Sequence, residues 1–140
     1  MKKIISISLI AVVTSVVFYS CKKGPGPGGK ASITGKIRVK NYSGTHNIAC
    51  NCYPFISEYN GQGEDVYIIY GNEAGVGNRV KTAYDGTFVF DFLRQGKYKV
   101  YALSRDTTSP ANSQTKEILQ DVEIFGKKDE VTMDDIVILK

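Results

Sequence analysis

After about the first thirty positions, apolar and polar side chains alternate one by one along the chain, the spacing that sends successive side chains to opposite faces of a β-strand. Ile33, Gly35, Ile37 and Val39 alternate with Thr34, Lys36, Arg38 and Lys40, which predicts a first strand with one buried and one wet face. Residues 65–71 predict a second, with Val66, Ile68 and Tyr70 on one side. Residues 79–84 make a third that turns at Asp85-Gly86, a dipeptide suited to positive φ in a tight hairpin, and residues 87–93 return. Phe88, Phe90 and Phe92 fall on one face of that return strand and are expected at the centre of the core, each worth about 1.5 to 3 kcal/mol of burial. Gly96 closes the next turn, and residues 97–104 form a fifth strand with Tyr98, Val100 and Ala102 facing one way. Residues 117–125 and 136–140 complete the set on either side of the charged turn 126–130. No stretch carries a helical face, so the pattern predicts an all-β fold, a seven-stranded two-sheet β-sandwich.

The first thirty residues follow another logic. Lys2 and Lys3 precede an apolar run of about 15 residues, 4–18, which suits the apolar region of a signal peptide and is short for a membrane span of about 20. The run ends in Phe18-Tyr19-Ser20-Cys21, which resembles a relaxed lipobox: a small residue before a cysteine that is acylated and becomes the mature N-terminus. Phe18 and Tyr19 depart from the usual Leu-Ala preference of such boxes. The resemblance implies a signal peptide at 1–20, lipidation of Cys21 and a bacterial lipoprotein held at a membrane through that lipid. Residues 22–29, Lys-Lys-Gly-Pro-Gly-Pro-Gly-Gly, bring no side chain able to enter a core, so 21–30 reads as a lipidated N-terminus and flexible tether of at most about 30 Å. No acidic run follows the cysteine, which favours the periplasmic face of the outer membrane over the cell exterior.

A family pattern emerges in the domain at 31–140. Thr82-Ala83-Tyr84-Asp85-Gly86-Thr87-Phe88-Val89-Phe90, then Leu93-Arg94-Gln95-Gly96-Lys97-Tyr98-Lys99-Val100-Tyr101-Ala102, resembles the signature of the carboxypeptidase regulatory-like domain. Transthyretin and the collagen-adhesin B-type repeats share this prealbumin-like architecture. The resemblance covers nearly all of 32–140 and implies a sandwich. It implies no ligand, because the matched residues carry turn geometry and packing. Transthyretin-like enzymes that hydrolyse hydroxyisourate use several histidines, an arginine and a C-terminal Tyr-Arg-Gly-Ser. This chain has one histidine and ends Ile136-Val137-Ile138-Leu139-Lys140, so the hydrolase reading is disfavoured and no catalytic residue is assigned.

The departure from that family lies at 41–64, where a short connection is replaced by an inserted loop of a length that is often functional. It holds the single histidine, His46, two of the three cysteines, Cys50 and Cys52, and the aromatic residues Tyr42, Tyr53, Phe55 and Tyr59. In an oxidising compartment Cys50 and Cys52 are expected to pair as a loop staple. The same two cysteines with His46 offer soft ligands for copper or zinc, although three ligands without a fourth form an incomplete set. Tyr42, Tyr53, Phe55 and Tyr59 are a possible binding surface, or a cover for a sheet edge.

Composition narrows the partners. The chain carries 18 basic and 14 acidic residues, and the leader holds two of the basic ones, Lys2 and Lys3, which leaves 16 against 14 and a net charge of +2. Lys36, Arg38, Lys40, Arg79, Lys81, Lys97 and Lys99 occupy alternating strand positions and read as solvated sheet faces, so nucleic acid is not an expected partner. The glycine-rich stretch 71–78 lacks the lysine and helix of a phosphate loop. Asp134 and Asp135 are neighbours that point to opposite faces in a strand, a poor acid and base pair. The expected molecule is therefore a non-enzymatic lipoprotein without a cofactor, acting as a binding or structural module on an envelope protein or glycan.

Overall fold

The computed structural model describes residues 23–42, 49–50, 54–106 and 115–140. Within them the chain is all-β, with nine strands: β1 (Pro27–Tyr42), β2 (Phe55–Asn60), β3 (Asp65–Tyr70), β4 (Asn78–Lys81), β5 (Thr87–Leu93), β6 (Gly96–Arg105), β7 (Thr115–Ile124), β8 (Glu130–Thr132) and β9 (Ile136–Leu139). One sheet has four strands in the order β4-β3-β6-β7, all antiparallel. The other is organised around β1, which pairs with β2 and β5 antiparallel and with β8 and β9 parallel. Ile37 shows how four partners fit on two edges. Its N–H donates to the Gly86 carbonyl and its carbonyl accepts from the Gly61 N–H, so β5 and β2 share one edge of β1 and leave the other to β8 and β9.

The alternation expected for the first strand is seen without a break: Ala31, Ile33, Gly35, Ile37 and Val39 are buried, and the residues between them are not. They meet Val66, Ile68, Tyr98, Val100, Ala102, Val122 and Ile124 from the four-stranded sheet, with Ile136 and Ile138 closing the same core. Two sheets face to face bury one apolar layer, the arrangement that alternating strands require.

Nine strands replace the seven expected. Both additions lack the signal by which strands are read: β2 is exposed at every position except the half-buried Ser57, and β8 has only three residues. Pairing to β1 makes each a strand, at Arg38–Tyr42 for β2 and Ser32–Thr34 for β8. Part of the segment read as an inserted loop at 41–64 is thus an edge strand.

Phe92 also departs from expectation. Phe88 and Phe90 are buried, but Phe92 is 72% exposed and Leu93 takes the inward position. Between the pairs Ala31↔Leu93 and Ile33↔Phe90, β5 spends one residue more than β1, a bulge that shifts the alternation by one. Phe92 sits at φ 59°, the one non-glycine residue in the left-handed region among the described residues.

The segment read as tether at 21–30 joins the fold before its end. β1 begins at Pro27, and Gly26 is buried. The Gly26 N–H donates to the Tyr98 hydroxyl at 3.0 Å, and the Gly26 carbonyl accepts from the Arg94 N–H at 3.0 Å. The absence of side chains makes this docking possible: a Cβ on Gly29 would stand 1.7 Å from the Leu93 carbonyl oxygen.

Candidate binding surface

The direction of each strand divides the molecule into two ends. The described chain enters beside Pro27, and there β5 ends, β6 begins and β7 ends: Leu93 pairs with Pro27 and Ala31, and Gly96 pairs with Ile124. β1 carries the chain away to Tyr42, where β2 begins, and the Tyr42 carbonyl accepts from Arg105 Nη1 at 2.9 Å at the close of β6. At roughly 3.3 Å per residue, the run from Ala31 to Tyr42 separates the ends by about 35 Å.

The far end gathers three of the four aromatic residues singled out in the sequence. Tyr42 and Phe55 pair across β1 and β2, with ring centroids 5.6 Å apart in an edge-to-face arrangement. Tyr59 pairs with Val39, on the face that lies over the core. Phe55, Ile56 and Tyr59 are exposed by 55%, 56% and 46%. Among the described residues β2 pairs with β1 alone, so its other edge carries backbone donors and acceptors that no strand takes up. Arg38 Nε reaches Glu58 Oε1 at 2.7 Å on the opposite face, an exposed pair that fixes register more than it stabilises.

Two buried hydroxyls set this end in place. Thr82 Oγ1 accepts from the Glu64 N–H at 2.8 Å and donates to the Gly61 carbonyl, tying the turn after β2 to the end of β4. Ser104 Oγ accepts from the Leu139 N–H at 2.9 Å, which links β9 of one sheet to β6 of the other. Neither hydroxyl stood out in the sequence, because a lone Thr or Ser among strands has no pattern to betray its burial.

Cys50 is disulfide-bonded. A cysteine in that state has no thiolate to give a metal. Cys21, His46, Cys52 and Tyr53 lie outside the described residues. Among the described residues no three His, Cys, Asp or Glu side chains come together as a metal site.

The near end has a different chemistry, one that the sequence reading missed because its residues come from separate stretches. Lys23, Lys30, Arg94, Lys127 and Lys128 line one open cavity of about 440 Å³. Tyr98 stands below it: its hydroxyl donates to the Arg94 carbonyl at 2.6 Å while accepting from Gly26. Burial raises the Tyr98 hydroxyl above the usual tyrosine range.

No family model matches the chain, and no curated protein matches it. Among solved structures it is similar to a candidate carbohydrate-binding protein from Pseudomonas aeruginosa, at 12% identity and a TM-score of 0.43, over 87% of this chain and 94% of that one.

Proposed function

We propose that the protein is a membrane-tethered, non-enzymatic lipoprotein of the cell envelope, whose sandwich offers the β2 edge to a partner protein or glycan. The observation that carries this reading is β2, which pairs with β1 alone among the described residues and leaves Phe55, Ile56 and Tyr59 exposed at the end opposite to the chain's entry. Exposed aromatic and apolar side chains beside unpaired backbone groups suit strand addition by an extended segment, and tyrosine supplies contact area at low entropic cost. The tether rests on the signal-peptide pattern and Cys21, with the outer membrane facing the periplasm as its place. The carboxypeptidase regulatory-like resemblance agrees with a two-sheet domain. Lipid on Cys21 is the single covalent group this reading calls for.

The reading is tested in intact cells by placing a photo-activatable phenylalanine at position 55, at position 59, or at the exposed Tyr84 position on a separate turn. Discrete adducts are expected at 55 and 59 and not at 84. Adducts absent from 55 and 59, or equal at all three positions, contradict it.

A further inference from the structure

Where the described chain begins, five cations from three separate stretches face one solvent space. Lys23 and Lys30 flank the start of β1, Arg94 sits in the β5–β6 turn, and Lys127 and Lys128 occupy the β7–β8 turn. Among the described residues no carboxylate lines the cavity they share. The ion pairs among the described residues use Arg38, Arg79, Lys81 and Lys140, and none of these five. Of the acidic side chains in the same turn, the Asp129 carboxylate accepts from the Gly126 N–H, and the exposed Glu130 forms no ion pair with these cations. Gathering unpaired like charges is unfavourable unless an anion meets them.

Two phenyl rings project at the same end. Phe125 is 75% exposed, and its carbonyl accepts from the side-chain amide of Gln95, which itself lines the cavity. Phe92, 72% exposed, lies two residues before Arg94 and is held outward by a left-handed backbone that a bulky side chain disfavours. A soluble anion would account for the cations but not for the rings. Lys and Arg beside exposed large apolar side chains match a surface that meets lipid headgroups and the acyl boundary together.

We propose that this end of the sandwich lies against an anionic lipid surface, with Lys23, Lys30, Arg94, Lys127 and Lys128 on headgroup phosphates and Phe92 and Phe125 entering the boundary below them. This rests on the reading of Cys21 as a membrane anchor. Only Lys22 separates it from Lys23, two steps of chain with a reach of about 7 Å, so an anchored chain brings this face to the bilayer. The β2 edge then points away from the membrane.

The chain contains no tryptophan, so Phe92→Trp, Phe125→Trp and Phe55→Trp each create a single emitter. The full chain, purified from expressing cells, is reconstituted into vesicles of phosphatidylethanolamine and phosphatidylglycerol carrying brominated acyl chains. Quenching is expected for F92W and F125W and not for F55W. Adding Lys127→Glu and Lys128→Glu to F125W should lower the population of quenched orientation about tenfold or more, and phosphatidylcholine vesicles should act in the same direction. An unchanged urea midpoint verifies that the variants are folded. Unquenched F125W, or equal quenching of F125W and F55W, overturns the proposal and leaves the cavity to a soluble anion or acidic glycan. Palmitate incorporation is scored on the same preparations. A palmitate-bearing chain with unquenched F125W refutes the surface and keeps the anchor. A palmitate-free chain quenched at F125W on anionic vesicles alone refutes the lipid anchor and keeps the surface.

Discussion

One phenolic hydroxyl secures the start of the fold. Tyr98 is 1% exposed, and its oxygen joins the Gly26 N–H to the Arg94 carbonyl. Tyr98→Phe leaves both backbone groups without that partner and is expected to cost about 1 to 3 kcal/mol in urea unfolding, with faster amide exchange at Gly26. The pH dependence has a definite sign. Burial raises the Tyr98 pKa above its unfolded value of about 10, so the folded state holds the proton more tightly. Its contribution is whole below pH 10 and is lost as pH rises through the folded value. Wild type should therefore lose stability more steeply than Tyr98→Phe in alkaline titrations, and parallel curves would contradict the assignment. Phenylalanines give a second contrast at this scale. Phe90→Ala empties a core site and should cost about 3 to 5 kcal/mol, whereas Phe92→Gly releases a left-handed backbone and should leave the urea midpoint unchanged or higher. Alternation alone placed Phe88 and Phe90 correctly. It missed Phe92 because a bulge of one residue leaves no trace in the pattern of apolar positions.

Among the elements, legibility followed burial. β1, β3 and β5 each bury one face, β6 buries one face together with Tyr101 on the other, and their period of two was readable from Ile33, Val66, Phe88 and Tyr98 onward. β2 buries no face and so shows no alternation; its residues looked like loop until pairing with β1 made them strand. The aromatic residues of the far-end surface were visible as a cluster, but their place on an open edge was not, since that depends on which strand pairs with the second half of β1. The turn that delivers β2 to β3 hangs on Thr82, 6% exposed, whose hydroxyl bonds to Glu64 and Gly61. Thr82→Val keeps the shape and removes those bonds, with an expected cost of about 1 to 3 kcal/mol. Local exchange should rise at Gly61 and Glu64 first. Ile56→Lys, by contrast, changes an exposed edge position and should shift stability by no more than about 0.5 kcal/mol, so any loss of cross-linking it causes at position 55 reports on the partner and not on folding.

At the scale of the whole molecule the two proposed surfaces lie at opposite ends. Cations and two exposed phenyl rings surround the point where the chain enters, and an aromatic edge strand lies about 35 Å away along β1. Summed over the sequence the charge is unremarkable, which is why the basic end could not be read from composition: Lys23, Arg94 and Lys128 meet only through the topology of β1, β5, β6 and β7. The roles proposed for both surfaces rest on the proposed anchoring of the N-terminus in a bilayer. The most direct measurement is therefore metabolic labelling of cells expressing the full chain with a palmitate analogue, followed by separation of membrane and soluble fractions. Label on the wild-type protein in the membrane fraction, lost in Cys21→Ala, is the predicted result. An unlabelled wild-type protein recovered in the soluble fraction would contradict it.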